Sequence, residues 1–376
     1  MKKVLIYGSY NHNNLGDDLM MHLINNLLND NEIDTYYFKS NKISNCFNDN
    51  YKYIENPYYD IDYKQKKIKR YYKLIKWNEI EKYDAIIFMG GGYTSENFGI
   101  KNLFKIYLLC KKSKRKKVNI FFTGQTIGPV KTLLYRLLVK RIYKLADLIY
   151  VREKYSMEYL NRNGIKGKLT GDDAFIAYPK LQEIQENNYL IYNYKSFNNY
   201  KTSQSDYFKL LLRIAKKNKQ PIKIVSFRID VESEEYKENL KLHNYLKNNN
   251  IDSEFIFLNS AEKIYNLFKN CYGVIGTAYH CITIGLICGK RVIGGYNGEY
   301  YKNKMKGILS WYKIENNCLY DISQIGNNMD EYEKLICNEL KQNRKKESLD
   351  ISKKIYDNVY NEWLHIIDTI KNGGEL

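Results

Sequence analysis

The stretch VNIFFTGQTIGPV, residues 118–130, shows which fold the chain adopts. Its apolar run Val118–Phe122 is typical of a buried strand, and the glycine-rich segment Gly124–Gly128 that follows is typical of a tight turn. A helical pattern comes next, with an apolar stripe formed by Leu134, Leu138, Ile142 and Leu145. The stretch therefore predicts one strand–turn–helix repeat of a parallel α/β sheet.

Similar repeats lie on both sides of this stretch. Apolar runs typical of strands occur at 3–7, 35–38, 83–89, 148–151, 189–192, 222–227, 253–258, 274–276 and 291–294. The alternation fades through YPKLQEIQENN, residues 178–188, and then restarts. A chain of 376 residues is also too long for one ordinary core. We therefore predict two Rossmann-like domains facing a cleft, residues 1–182 and 183–376, with a closing C-terminal helix at Leu349–Ile370.

The charge balance favours anionic partners. There are 60 Lys and Arg residues against 42 Asp and Glu, a net charge of +18. Such a surface attracts phosphorylated ligands, polyanions or an anionic membrane, although a generally basic solvated surface explains it equally well. The segment Tyr63–Trp77 reads as a strongly basic helix, either lying on a membrane or simply solvated.

Seven scattered cysteines without a CxxC pair suggest neither a zinc site nor a disulfide framework. This usage fits a reducing compartment. The start, MKKVLIYGSY, reads as a first strand because its apolar run is too short for a signal peptide. We therefore expect a cytoplasmic protein, with peripheral contact at the inner face of a membrane as one option, and we expect no metal site.

Polar and glycine-rich segments follow several of the predicted strands. In an open parallel sheet, ligands bind outside the carboxyl ends of the strands. Asn14 or Asp17 would cap the first helix and leave backbone N–H groups facing a ligand, although an ordinary capped loop has the same pattern. Backbone N–H groups of Gly91, Gly92 and Gln125 form a second candidate anion pocket. None of these segments matches a nucleotide-binding fingerprint.

His280 is the candidate acid–base residue of the second half. It follows the strand Val274–Gly276 and a short turn, and it precedes the apolar helix Cys281–Cys288. A histidine titrates near neutral pH, which suits proton transfer, although a single histidine is also often structural. Farther along, Tyr300, Tyr301 and Lys304 are predicted to lie in a loop that reaches the ligand.

Several stretches in order resemble the polysaccharide pyruvyl transferase family. They are NLGDD (14–18), GGG (90–92), GQTIGP (124–129), VRE (151–153) with Ser156, DDAF (172–175), YH (279–280), ICGKRVIG (287–294) and YYKNKMKGIL (300–309). No single stretch is decisive, but the ordered set spans nearly 300 residues.

The resemblance implies a two-domain fold similar to the GT-B glycosyltransferases, with the acceptor on the 1–182 side and the donor on the 183–376 side. It implies phosphoenolpyruvate as donor and co-substrate, with no further cofactor. The acceptor would be a sugar of a cell-surface polysaccharide or of its lipid-linked precursor. The product would be a cyclic pyruvate ketal on two hydroxyls, with release of phosphate.

The resemblance also implies roles for single residues. Arg152 would bind an anionic group of the donor, and His280 would act as the catalytic acid or base at the donor. On chemical grounds alone, Asp17 and either Asp172 or Asp173 are candidates to bind or deprotonate acceptor hydroxyls, although helix capping explains each of them equally well. The remaining substrate-binding candidates are Asn14, Gly16, Gly91, Gly92, Gln125, Tyr279 and Lys304.

One departure bears on the donor. Many family members have Arg-Leu-His where this chain has Ala278-Tyr279-His280, so an expected arginine is missing. Lys304, Arg291 and Arg228 are the candidate replacements. A GT-B glycosyltransferase that uses a nucleotide-sugar is therefore the alternative function. A noncatalytic polyanion- or nucleic-acid-binding protein is a further alternative, which we do not favour because no nucleic-acid module accompanies the charge.

Overall fold

A computed structural model of the chain describes residues 1–9, 13–38, 47, 51–54, 77–182, 189–195 and 201–373, with the side chains of 77–79 and 201–204 excepted. The predicted basic helix Tyr63–Trp77 falls almost entirely outside these residues. The chain folds into two compact units. The first unit comprises Met1–His12, Asp17–Asp173 and Asp357–Leu376, and the second comprises Asn13–Gly16 and Ala174–Tyr356.

The first unit contains a seven-stranded parallel sheet in the order β3-β2-β1-β4-β5-β6-β7. Its strands are β1 (Lys2–Tyr7), β2 (Ile33–Phe38), β3 (Lys52–Ile54), β4 (Ala85–Phe88), β5 (Asn119–Gln125), β6 (Leu148–Val151) and β7 (Lys168–Leu169). The central strands are almost continuously apolar and buried, as expected for a parallel sheet covered on both faces. The predicted strand of the opening stretch is thus confirmed as β5.

Among the described residues of this unit, α-helices alternate with the strands. They are α1 (Leu15–Asn29), α2 (Ile100–Arg115), α3 (Leu133–Lys144) and α4 (Lys154–Arg162), with 3₁₀ helices at Trp77–Lys82, Glu96–Phe98 and Asp173–Leu181. The core beneath α2 and α3 includes stacked Phe88 and Phe122, whose ring centroids lie 4.3 Å apart. The predicted stripe of α3 is only partly correct, because Leu138 and Ile142 are buried but Leu134 is 63% exposed.

The second unit contains a six-stranded parallel sheet in the order β10-β9-β8-β11-β12-β13. Its strands are β8 (Leu190–Asn193), β9 (Ile222–Val225), β10 (Ser253–Ile256), β11 (Gly273–Gly276), β12 (Arg291–Tyr296) and β13 (Leu319–Asp321). Its helices are α5 (Lys201–Asn218), α6 (Glu234–Asn248), α7 (Ala261–Asn270), α8 (Tyr279–Ile287), α9 (Glu299–Trp311) and α10 (Met329–Lys341), with a 3₁₀ helix at Ile322–Gln324. The predicted α/β repeat of the second half is confirmed.

The last helix, α11 (Lys345–Lys371), starts among residues of the second unit and ends among residues of the first. It includes the helix predicted at Leu349–Ile370, in which Ile355, Val359, Trp363 and Ile367 are buried and Ile351 is half-buried. The first unit thus includes the C-terminal segment Asp357–Leu376, whereas the sequence analysis assigned all of residues 183–376 to one domain. Across the described ranges, no helix combines the length and apolar character needed to cross a membrane.

Candidate active site

His280 lies in the first turn of α8, directly after the turn that leaves β11. The sequence predicts this placement, because the glycine-rich strand end is followed by an apolar run. The α8 helix is buried on every side, and His280 itself is 6% exposed. The first turn of a helix has backbone N–H groups without helical partners and a positive dipole end, which together favour an anionic ligand.

Gly16 lies directly against the imidazole of His280. A Cβ atom built on Gly16 would be 2.0 Å from Nδ1 and 2.3 Å from Cγ of His280. Contacts this short do not occur between real atoms, so any side chain at position 16 would displace the imidazole or the loop. Gly16 and His280, both singled out from the sequence, are therefore in direct contact within the second unit.

Backbone hydrogen bonds hold the loop that carries Gly16 to the segment after β9. The Leu15 N–H donates to the Phe227 carbonyl at 2.9 Å, and the Ile229 N–H donates to the Asn13 carbonyl at 3.2 Å. Asn14 and Arg228 form an antiparallel bridge between these bonds. The Asn14 side chain accepts from the Gly16 N–H at 3.3 Å, so Asn14 caps α1 as predicted.

Tyr279 and Lys304 extend this group of residues. The rings of Tyr279 and His280 meet edge to face with centroids 5.2 Å apart. The Lys304 ammonium lies 4.6 Å from the Tyr279 ring centroid and 5.5 Å from that of Tyr300. We refer to Asn14, Gly16, Arg228, Tyr279, His280 and Lys304 as the histidine cluster.

The predicted loop around Lys304 is wrong. Tyr300, Tyr301 and Lys304 lie in helix α9, which starts after Gly298. Gly298 has φ 78°, a left-handed conformation that glycine adopts readily, and the acidic Glu299 in the first turn suits the helix dipole. Lys304 therefore approaches Tyr279 from a regular helix, which holds its position more firmly than a loop would.

Two supporting residues were not found from the sequence. Asn193 at the end of β8 accepts from the Ala278 N–H at 2.9 Å and donates to the Val225 carbonyl at 3.0 Å, which fixes the turn before His280. Glu235 in α6 accepts from the Phe227 N–H at 2.9 Å, beside the segment that holds Asn14. Burial raises the pKa of Glu235 and outweighs the opposing effects of Lys195, the Phe227 N–H and Arg228. The only sequence signal for Asn193 is a polar residue at a strand end.

Arg152 lies in the first unit and is 2% exposed. Its Nη1 donates to Asp172 Oδ2 at 2.5 Å, and its Nε donates to Thr126 Oγ1 at 2.7 Å. Glu153 Oε2 lies 3.5 Å from Nε and also accepts from the Thr126 hydroxyl. We refer to Arg152, Asp172, Thr126 and Glu153 as the arginine cluster. Arg152 and Asp172, predicted separately as donor-binding and catalytic residues, thus form a buried ion pair.

Gln125 and the glycines 90–92 lie beside the arginine cluster. The Gln125 Nε2 donates to the carbonyls of Phe88 and Met89 at 3.1 and 2.9 Å, which ties β5 to the end of β4. Gly91 and Gln125 form a parallel bridge, and the Thr126 N–H donates to the Gly91 carbonyl at 2.8 Å. The Gln125 side chain is therefore a fully buried tie between two strands. Gly92 is buried next to this bridge.

Asp173 joins three segments of the first unit. Its Oδ2 accepts from the Gly90 N–H at 2.8 Å and from the Thr123 hydroxyl at 2.7 Å, and its Oδ1 accepts from Trp363 Nε1 at 3.0 Å. Burial raises the pKa of this carboxyl from 3.8 to about 6, despite these donors. Asp173 thus connects the end of β4, the end of β5 and helix α11.

Asp17 is half-buried in the first turn of α1 and groups with the first unit, whereas the preceding residue, Gly16, groups with the second. The predicted site residues therefore divide between the two units. The histidine cluster holds Asn14, Gly16, Tyr279, His280 and Lys304, and the first unit holds Asp17, Gly91, Gly92, Gln125, Arg152 and Asp172. In the described part of the chain, no three His, Cys, Asp or Glu side chains are placed to hold a metal ion.

Arg291 lies outside the histidine cluster. It starts β12, whereas His280 follows the carboxyl end of the neighbouring strand β11. Its Nε donates to the Gln342 carbonyl at 2.9 Å, and its guanidinium stacks 4.2 Å from the Tyr272 ring centroid. Arg291 also lines a cavity of about 220 Å³ at the amino-terminal edge of the sheet. Because His280 lies at the other edge, Arg291 does not replace the arginine that is missing at position 278.

Comparison with known proteins agrees with this fold. The chain matches UDP-N-acetylglucosamine 2-epimerase from Rickettsia bellii with 12% identity and a TM-score of 0.59 over 99% of this chain and 98% of that one. Acinetobacter baumannii MurG matches with 10% identity and a TM-score of 0.56 over 99% of this chain and 100% of that one. S. aureus MnaA with UDP matches with 12% identity and a TM-score of 0.60 over 99% of this chain and 96% of that one. At these identities the likeness shows the fold alone, which is the predicted GT-B type.

Sequence comparison identifies the family. No curated protein sequence matches the chain significantly. The family model for polysaccharide pyruvyl transferases matches residues 14–298, from the capping Asn14 to the start of α9. This range includes both the arginine cluster and most of the histidine cluster, and it confirms the resemblance that the motifs indicated. The chain therefore belongs to the polysaccharide pyruvyl transferase family and is a transferase.

Proposed function

We propose that the protein transfers pyruvyl from phosphoenolpyruvate to a saccharide acceptor and forms a pyruvate ketal at the histidine cluster. The observation that carries this proposal is the placement of His280. An imidazole, which can give and take protons, lies in the first turn of a buried helix and against Gly16, and its cluster includes the cationic residues Lys304 and Arg228. That combination supplies proton transfer and anion binding at one location.

The reaction needs a proton at the methylene carbon of the donor. In the proposed mechanism the His280 imidazolium gives this proton, which makes C2 electrophilic. The first acceptor hydroxyl bonds to C2 and returns its proton to the imidazole. The second hydroxyl then bonds to C2 as the C2–O bond to phosphate breaks, and its proton leaves with the phosphate. Correct placement of such an acid and base contributes about 10²–10⁴-fold to a rate.

Lys304 and Arg228 are the proposed partners of the donor anions. Phosphoenolpyruvate carries a carboxylate and a phosphate, which charge-assisted donors bind most strongly. Position 278 is an alanine, so this position supplies no cationic side chain for the donor. Lys304 lies against the Tyr279 ring, and Arg228 belongs to the segment paired with Asn14. Both are half-buried, and in the proposed complex both contact the donor bound at His280.

The residues of the first unit are proposed to serve the acceptor. Asp17, Gly91, Gly92 and Gln125 keep their assignment as acceptor or anion contacts. Arg152 and Asp172 are proposed to act together, because they form a buried ion pair. Their burial supports a role in holding the Thr126 turn in shape, which then presents its backbone to the substrate.

Turnover of phosphoenolpyruvate tests the proposal. The purified protein is incubated with phosphoenolpyruvate and a panel of free and lipid-linked saccharides, and inorganic phosphate and the acceptor mass are both measured. We expect phosphate release only with an acceptor, together with the mass increase of one pyruvyl ketal. The His280→Gln variant should lose at least about 10²-fold in rate while keeping its fold. Equal turnover by a folded His280→Gln protein would refute the assigned mechanism.

A GT-B glycosyltransferase that uses a nucleotide-sugar is the second candidate. Two observations favour it, namely Ala278 in place of the expected arginine and the likeness to MurG and to MnaA with UDP. Transfer of a sugar from a UDP-sugar to the same acceptors, with no reaction of phosphoenolpyruvate, would select this candidate.

A further inference from the structure

Three leucines at the start of helix α3 are exposed. The exposed fractions are 71% for Leu133, 63% for Leu134 and 46% for Leu137. Single exposed apolar residues are common on soluble proteins, but adjacent large ones usually mark an interaction surface. These three lie within two turns of one helix, so their side chains form one continuous apolar surface.

All the charged side chains of the same helix are cationic. From Lys131 to Lys144 there are five cationic residues and no Asp or Glu, namely Lys131, Arg136, Lys140, Arg141 and Lys144. At 100° per residue, Lys140, Arg141 and Lys144 project on the same side of α3 as the three leucines, one to two turns farther along. The outward face of α3 therefore has leucines at its amino end and cations at its carboxyl end.

The inward face of α3 packs into the core of the first unit. Leu138, Val139, Ile142 and Tyr143 are all buried. The start of the helix is also fixed, because the Glu96 carboxylate accepts from the backbone N–H groups of Lys131 and Thr132. Phe98, in the same 3₁₀ helix as Glu96, is 47% exposed and adds another large apolar side chain to this part of the unit. The leucines therefore cannot turn inward without disrupting the core.

We propose that this surface, defined by Leu133, Leu134, Leu137, Lys140, Arg141 and Lys144, docks on an anionic lipid membrane. Helices that lie in a membrane interface combine exposed leucines with lysines and arginines, and each cation near an anionic leaflet adds about 1 kcal/mol. The single sign of the charges favours a lipid surface over a protein partner, whose surface usually carries both signs. Docking does not depend on the donor, so it can hold even if the proposed function fails.

Vesicle co-sedimentation of the full chain tests this inference. Leu133→Gln/Leu134→Gln/Leu137→Gln removes the apolar part, and Lys140→Gln/Arg141→Gln/Lys144→Gln removes the charges. We expect the wild-type protein to bind vesicles of phosphatidylglycerol and phosphatidylcholine. Each triple variant should bind these vesicles about tenfold more weakly or worse, given the transfer energy of leucine and the contribution of each cation.

Two matched triple variants serve as controls. Val231→Gln/Leu240→Gln/Phe257→Gln removes three exposed apolar side chains elsewhere, and Lys216→Gln/Lys219→Gln/Lys247→Gln removes three exposed charges elsewhere. Both should bind like the wild-type protein. In addition, a Leu134→Trp protein should show fluorescence quenching by brominated lipid beyond that of the wild-type tryptophans.

Three outcomes would overturn the inference. The first is equal binding by the leucine variant and the wild-type protein. The second is equal binding of the wild-type protein to anionic vesicles and to pure phosphatidylcholine, which would remove the role of the charges. The third is a wild-type dimer that becomes monomeric in the leucine variant, measured by sedimentation velocity, which would make the surface an interface between two copies of the chain.

Discussion

Position 16 requires glycine because there is no space for a side chain beside His280. The His280 imidazole occupies the position where a Cβ would lie. We therefore expect Gly16→Ala to displace the imidazole and to lower turnover by about 10²-fold or more, although the new methyl group takes no part in the chemistry. In a ¹⁵N-histidine-labelled protein, which has five histidines, the His280 signal should shift while the other signals keep their positions.

A double-mutant cycle is the control for this prediction. If Gly16 acts through His280, adding Gly16→Ala to His280→Gln should cause no further loss of turnover, because the two changes remove the same contribution. Additive losses would mean that Gly16 contacts the substrate itself, which is the role predicted from the sequence.

The buried ion pair of Arg152 and Asp172 is expected to contribute to the free energy of unfolding. Their side chains are 1% and 0% exposed, so removing one charge leaves the other buried without its ion-pair partner. We expect Arg152→Met to lower the free energy of unfolding by about 3–5 kcal/mol in urea denaturation. The double variant Arg152→Met/Asp172→Asn should recover part of this loss.

The exposed pair of Arg162 and Glu158 provides the comparison. It is also an arginine–carboxylate pair, but its side chains are 79% and 59% exposed. Arg162→Met should change the free energy of unfolding by less than about 1 kcal/mol. If Arg152→Met were equally mild but lost all substrate binding, Arg152 would be a ligand contact rather than part of a structural pair.

At the scale of elements, Asp173 connects β4, β5 and α11, and its raised pKa predicts a pH dependence. Between about pH 4 and the folded-state pKa of about 6, the folded protein keeps a proton that the unfolded chain has released. The free energy of unfolding should therefore fall as the pH rises through this window and then level off. Asp173→Asn should remove this slope in urea denaturation measured across the window.

The control for this prediction is Asp252→Asn, because Asp252 is exposed. This variant should keep the wild-type slope. A wild-type protein whose stability rises between pH 4 and 6, with Asp173→Asn behaving identically, would show that other carboxylates control the acid behaviour.

Local patterns predicted most elements correctly but missed contacts made over long sequence distances. The strands β1, β5 and β11 and the helices α8 and α11 follow from apolar periodicity and glycine positions, which act locally. The loop predicted at Lys304 was wrong because polar residues of a surface helix resemble a loop. Leu134 was assigned to the core because its spacing fits a helical stripe, yet the core begins only at Leu138.

At the scale of the molecule, the sequence predicted the α/β class, the GT-B type of fold and the family, because ordered motifs survive where overall identity is low. It could not predict the geometry of the site. The contact of Gly16 with His280, the pairing of Arg152 with Asp172 and the location of Arg291 at the opposite sheet edge all depend on tertiary structure. Fold similarity to proteins with other activities leaves the donor to be decided by the residues around His280.

Titration calorimetry with phosphoenolpyruvate and, separately, with UDP tests the central claim most directly, since neither needs the acceptor. We predict that the wild-type protein binds phosphoenolpyruvate and not UDP. We also predict that Lys304→Met weakens this binding while Lys306→Met, a change of an exposed lysine in the same helix, leaves it unchanged. Binding of UDP without binding of phosphoenolpyruvate would contradict the proposed pyruvyl transfer and would assign the histidine cluster to a nucleotide-sugar.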